Sequence, residues 1–380
     1  MAGQESKRQT PTIVEIDLEA LRFNFHQLKK KIPPKVKNLC VVKSNAYGHG
    51  AIRVARVLQE EGADFFGVAT VDEGIDLREA GVKKPILILI GVVRDGAEAL
   101  VRYQLTPVIY DWETAETLNQ FISRKGKPHP IHLKVDTGMT RLGVPVSEIG
   151  IFCDRLKSLS HLIPEGLMTH LAIAGCDEFT GRQKKLFLAA RDEFLSRFST
   201  ASYFHLANSR AVIFEKIGES IPSLTMVRLG IALYGAHPQE EDRKLMDLKP
   251  VLTWKSQLIS VKKVPAGTSV SYGRTFTTKK DSWIGVIPVG YSDGYRRVFS
   301  NQTHVLMRGR PCPVAGTICM DMMMIDLTGL PSAPKIGEEV ILIGQQRKEE
   351  IRAFDLAQVA KTIPYEIFCG ISDRLRRVYV

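Results

Sequence analysis

From residue 38 to about residue 230 the chain alternates between short apolar runs and longer amphipathic stretches. The runs at 38–43, 65–69, 85–90, 106–109, 131–135, 163–169, 203–206 and 226–229 read as strands. Between them, 52–58, 71–80, 112–124, 148–159 and 179–198 repeat apolar residues at helical spacing. Eight strand-then-helix units in series predict a parallel sheet, and eight is the number that closes a (β/α)8 barrel. An earlier strand, Ile13 to Ile16, and a helix, Leu18 to Lys30, precede these units, and that strand is a candidate to pack with a second domain. After residue 245 the texture changes. Turn chemistry recurs at Pro265-Ala266-Gly267, Ser292-Asp293-Gly294 and Lys335-Ile336-Gly337, between short strand-like runs at 283–289, 304–307, 322–325 and 340–343. The expected fold class is therefore α/β, with a barrel domain over 1–245 and a mainly β domain over 246–380.

Composition narrows the picture. A chain of 380 residues with 44% hydrophobic and 24% charged residues fits two soluble globular domains. The polar N-terminus lacks an apolar core and does not read as a secretory signal. The strongest apolar run, Ile86 to Val93, is too short to span a bilayer, so no membrane partner is expected. Six scattered cysteines without CxxC or metal-like spacing predict reduced thiols, a cytoplasmic setting and no metal centre. The net charge of +11 is dispersed and lacks any nucleic-acid-binding motif. A positive field that draws in small anions fits better than a nucleic-acid partner.

Catalytic groups of a barrel sit at the C-terminal ends of its strands, and the conspicuous polar residues fall there. Lys43 closes the first run and precedes a Gly/Asn/His-rich turn; a lysine held there can lose its proton and form a Schiff base. Lys134 and Arg141 bracket the end of the fifth run. His170 ends the sixth, His205 and Asn208-Ser209 close the seventh, and Arg228-Leu229-Gly230-Ile231 closes the eighth. The last two loops are the usual phosphate site of such a barrel, and they offer backbone N–H groups, the Ser209 hydroxyl and a close-approach Gly230. A Schiff-base lysine beside a phosphate cradle calls for a cofactor with an aldehyde and a phosphate, pyridoxal 5′-phosphate.

The motifs resemble those of the alanine racemase family over nearly the whole length. Val42-Lys43-Ser44-Asn45-Ala46-Tyr47-Gly48-His49-Gly50 resembles its cofactor-lysine block, and 134–143 its second block. His170, Asn208-Ser209 and Met226 to Ile231 follow in order, as do 270–275, 290–295, 319–321 and 362–366.

The resemblance implies a homodimer with shared sites that interconverts L- and D-alanine, with D-alanine serving peptidoglycan. Lys43 would bind the cofactor and act as one base; Tyr272 from the partner would act on the opposite face. Positive charge near Tyr272 would favour a phenolate, with His170 and Arg228 as candidates. Arg228 would meet the cofactor's ring nitrogen, where related decarboxylases place an acid. Arg141 would contact the cofactor's phenolic oxygen and the substrate carboxylate, oriented by Lys134, which resembles a lysine carbamylated in many relatives. Tyr47, Ser209, Gly230, Ile231 and Tyr365 would hold the phosphate, and the Met320 backbone would contact the substrate. Tyr291 would narrow the entrance in favour of small side chains, alanine's foremost and serine's not excluded. His170 and Asn208 would help to bind the cofactor, and His205 and Asp321 would support these groups.

Overall fold

The structure, a computed structural model, describes residues 10–92, 96–124, 126–175, 178–215, 217, 219, 221 and 223–380. The polar stretch 1–9 and Val93, the end of the strongest apolar run, lie outside the described residues. By compactness the chain divides into two units. One spans Leu21–Lys249; the other joins the described residues up to Ala20 to Pro250–Val380.

In the second unit, strand β1 (Ile13–Ile16) pairs antiparallel with a later strand, Leu252–Gln257, and parallel with Arg376–Tyr379. Its alternating burial, with Val14 and Ile16 inaccessible, gives it one core face. The described residues 10–20 thus cluster with this unit, where the strand Ile13 to Ile16 finds its partners. Fully buried Trp254, Tyr295 and Phe299 form an edge-to-face series in this unit's core.

The other unit carries β2 (Lys37–Val41), β3 (Phe65–Val68), β4 (Ile86–Ile88), β5 (Leu105–Ile109) and β6 (His129–Asp136). A two-residue strand, β7 (Val144–Pro145), lies beside β6, and β8 (Leu162–Met168), β9 (Tyr203–His205) and β10 (Met226–Leu229) follow. Eight of these run parallel in the order β10-β2-β3-β4-β5-β6-β8-β9. Backbone hydrogen bonds from Thr225 to Phe204 (3.1 Å) and from Arg228 to Ala207 (2.9 Å) bring the two edges together. The sheet is a nearly closed barrel, as the eightfold alternation predicts. Its strands are buried along most of their length, which is why they read as continuous apolar runs. Helices Val71–Glu79 and Trp112–Ser123 start on Thr70 and Asp111, whose side chains cap them. Among the described residues, no helix is long and apolar enough to cross a membrane.

Candidate active site

Strand β2 stops at Val41, earlier than the sequence suggests, and Lys43 opens the next turn instead of ending the strand. That turn is left-handed: Ser44, Asn45, Ala46 and Tyr47 all have φ between 50° and 54°. L-residues pay roughly 1–2 kcal/mol each for this conformation, so the surroundings must over-determine it. They do so through Glu73, whose carboxylate accepts hydrogen bonds from Ser44 N (2.5 Å) and Ala69 N (2.6 Å). Asn45 Oδ1 accepts from Ala51 N at 2.8 Å, and Ala46 N donates to Val42 O. The half-buried Lys43 is thus held by backbone tied to the next strand-to-helix loop.

The same turn points Tyr47 toward β10. A Cβ added to Gly230 would lie 3.2 Å from Tyr47 Oη and 3.7 Å from Ser209 Oγ, and Gly230 N donates to Ser209 Oγ at 2.7 Å. Two hydroxyls and a backbone amide therefore converge on a spot kept open by the missing side chain, and a small anion such as a phosphate fits it. Ile231 follows in a 3-10 turn. Asn208 uses its side-chain oxygen to cap helix Ser209–Phe214 through Ala211 N (3.1 Å).

A cationic cluster fills the middle of the site. Arg228, 4% exposed, donates from Nη1 to His205 Nδ1 (3.1 Å) and His205 O (3.0 Å). Its Nη2 donates to Thr169 O (2.8 Å), His170 Nδ1 (3.0 Å) and Leu206 O (3.2 Å). Burial, then Arg141, pulls its pKa down to about 10, so it stays protonated at neutral pH. Lys134 is brought to about 8, chiefly by burial and then by Arg228 and Arg141, with Lys43 adding to the effect. His170 keeps some exposed surface, yet burial of its ring and the adjacent Arg228 lower it to about 2. His170 is therefore neutral and, contrary to the expectation above, supplies no positive charge. Arg141 is exposed, on a loop shaped by Asp136, whose Oδ1 accepts from Gly138 N and Thr140 N. Gly143, at φ 139°, presses so close to Asp136 that an added Cβ would meet its nitrogen at 2.4 Å.

In the β-rich unit, Tyr272, Tyr291, Arg297, Met320 and Asp321 help to line a cavity of about 640 Å³. Tyr272 is 72% exposed, but its backbone is fixed. Its carbonyl accepts from Thr317 Oγ1 (2.8 Å), and the preceding Ser271 hydroxyl donates to Thr317 O (2.5 Å). The Met320 carbonyl is packed against Gly290, where any Cβ would clash at 2.2 Å, and accepts from Ser292 N and Oγ. Asp321 takes hydrogen bonds from Ser292 and Arg374. Tyr365 is the second residue of the helix Pro364–Cys369, and loss of solvent pushes its phenol up to about 12.

Sequence reasoning missed Glu73, His132 and Glu165. The Thr70 capping pattern marks Glu73 as a helix-start residue, but its hold on Ser44 is a contact across 29 residues. His132 Nδ1 lies 2.9 Å from His205 Nε2, and a histidine inside the strand run 131–135, two residues before Lys134, was the available signal.

Comparison with known proteins matches residues 16–238 to the alanine racemase N-terminal domain and residues 251–379 to the alanine racemase C-terminal domain. The alanine racemase of Halothermothrix orenii is 45% identical, covering 98% of each chain. The solved alanine racemase of Clostridium difficile 630 superposes with a TM-score of 0.92 at 35% identity, covering 98% of this chain and 97% of that one. The Bartonella henselae alanine racemase, solved with covalently bound pyridoxal phosphate, gives 0.84 at 28% identity, covering 97% and 99%. Such agreement in both halves, together with an anion cradle beside a tethered lysine, shows that the chain belongs to the alanine racemase family of pyridoxal-phosphate enzymes.

Proposed function

We propose that the chain racemises alanine with two bases on opposite faces of the α-carbon, Lys43 and Tyr272 of the partner subunit, in a homodimer with shared sites. The observation that carries this reading is the state of Tyr272. The residue is 72% exposed while its backbone is tightly held, and it shares a cavity with exposed Met320 and Tyr291. A proton-transfer group works best where water is excluded, and a second copy of the chain would exclude it.

Pyridoxal phosphate, when bound, supplies the conjugated electron sink that makes the α-proton removable. Lys43 is the residue for its aldehyde; Tyr47, Ser209, Gly230 and Ile231 are those for its phosphate, with Tyr365 as a further ligand. Arg228 would meet the ring nitrogen and, protonated below about 10, would give it no proton. That restrains the sink and disfavours side reactions that need a fully protonated ring. Arg141 and the Met320 backbone orient the substrate carboxylate. Lys134, lowered to about 8, holds a useful fraction of neutral amine at physiological pH, the form that carbon dioxide carbamylates. A carbamate there would turn a repulsive neighbour of Arg141 into an attractive one. Tyr291 restricts the entrance to small side chains. Supply of D-alanine for peptidoglycan in the cytoplasm completes this reading; the family resemblance supports it, as do the buried free thiols Cys40, Cys153 and Cys312.

Tyr272→Phe tests it. The variant should keep its cofactor absorbance and lose about 10²–10⁴-fold in racemisation, measured by chiral product analysis. Normal turnover would rule the two-base reading out.

A further inference from the structure

Arg228 is a buried cation with no carboxylate in contact among the described residues. Its chain of partners nevertheless leads to one. From Arg228, the path runs through His205 to His132, whose Nε2 lies 3.4 Å from Glu165 Oε1. His132 and His205 are fully buried. The last contact does not meet hydrogen-bond geometry: among the described residues His132 Nε2 makes no hydrogen bond, and it is sealed from solvent. Glu165 is the acceptor within reach.

The backbone is built around this contact. The ladder between β6 and β8 slips at Ile131/His132: Ile131 pairs with Pro164 and His132 with Gly166, leaving Glu165 as the extra residue of a bulge. Bulges are rare between parallel strands and re-aim the side chain they carry. Gly166 is required opposite the ring, since an added Cβ would meet His132 at 2.6 Å. Tyr203 stacks on the His132 ring at 5.7 Å, with 13° between the planes.

We propose that Glu165 is a positioning residue for Arg228, acting through His132 and His205 to fix the direction of each hydrogen bond between them. A guanidinium only donates, so His205 Nδ1 must be bare and its proton must sit on Nε2. That N–H donates to His132 Nδ1, which places the His132 proton on Nε2, facing Glu165. In this arrangement each ring carries one proton, and a single set of hydrogen-bond directions satisfies the chain. Without an acceptor at Glu165, His132 is free to carry its proton on Nδ1. Two N–H groups then oppose each other at 2.9 Å, and the disturbance passes to Arg228. The consequence for catalysis rests on the reading that Arg228 meets the cofactor's ring nitrogen; the proton arrangement itself does not.

The test is ring-nitrogen NMR of the ¹⁵N-histidine-labelled holoenzyme, with resonances assigned by His132→Gln and His205→Gln. Wild-type protein should show both residues as neutral Nε2–H tautomers. Glu165→Leu, which removes the acceptor and excludes a replacement water, should lose the single tautomer at His132. It should also lower kcat about tenfold, the scale seen for outer partners of metal-bound histidines, with little change in KM. Glu165→Gln should recover most of both. An Nδ1–H or doubly protonated ring at either histidine in the wild type would overturn the proposal. So would a Glu165→Leu spectrum identical to wild type, or altered tautomers with unchanged kcat. If Glu165→Leu does not fold, the wild-type and Glu165→Gln spectra still decide. Absence of alanine turnover would strike the racemase reading and leave the tautomer result standing.

Discussion

Lys134 shows how much chemistry one buried residue can hold. Its pKa of about 8 stands against 10.5 for a free lysine, a difference of about 3 kcal/mol. Below pH 8 the folded and unfolded chains both hold the proton, and the folded state carries the whole penalty. Between 8 and 10.5 the folded chain has released it while the unfolded chain has not, so stability rises with pH. In cofactor-free protein under carbon-dioxide-free buffer, Lys134→Met should be more stable than wild type at pH 7 and lack that rise. Thermal unfolding across pH 7–10.5 measures this, and equal slopes for the two proteins would contradict it. Residue identity made Lys43, Arg141, His170 and Arg228 conspicuous in the sequence. Their protonation states were not legible, because burial and neighbouring charge depend on packing. The neutrality of His170 is the clearest case.

At the scale of elements, the left-handed turn after Lys43 and the anion cradle are the features on which the site depends. Glu73→Ala removes the carboxylate that receives Ser44 and Ala69. It should cost about 1–3 kcal/mol in denaturant unfolding, and Glu73→Gln should lose less. Equal stability of Glu73→Ala and wild type would show that the turn holds itself. Gly230→Val should fill the space facing Tyr47 and Ser209. Spectrophotometric titration of apoenzyme should then show pyridoxal phosphate affinity reduced about tenfold or more, a loss of at least 1.4 kcal/mol; unaltered affinity would move the cradle elsewhere. Strand and helix positions were readable because apolar spacing repeats. The handedness of the turn and the bulge at Glu165 were not, since both are imposed by contacts distant in sequence.

For the whole molecule, the alternation of eight apolar runs with amphipathic stretches was enough to anticipate the barrel, because parallel strands buried on both faces leave an unambiguous pattern. The placement of Ile13–Ile16 was harder: its partners lie some 240 and 360 residues away. No single-chain pattern could show that Tyr272 is fixed in backbone yet open to solvent, which is the feature pointing to a second subunit. Subunit exchange between Lys43→Ala and Tyr272→Phe proteins addresses this directly. On the proposed reading each is nearly inactive alone, but a mixed dimer would unite the intact Lys43 of one chain with the intact Tyr272 of the other. Random one-to-one exchange should recover about a quarter of wild-type racemisation, since half the dimers are mixed and each has one whole site. Verified mixed dimers with no recovered activity would contradict a catalytic site shared between subunits.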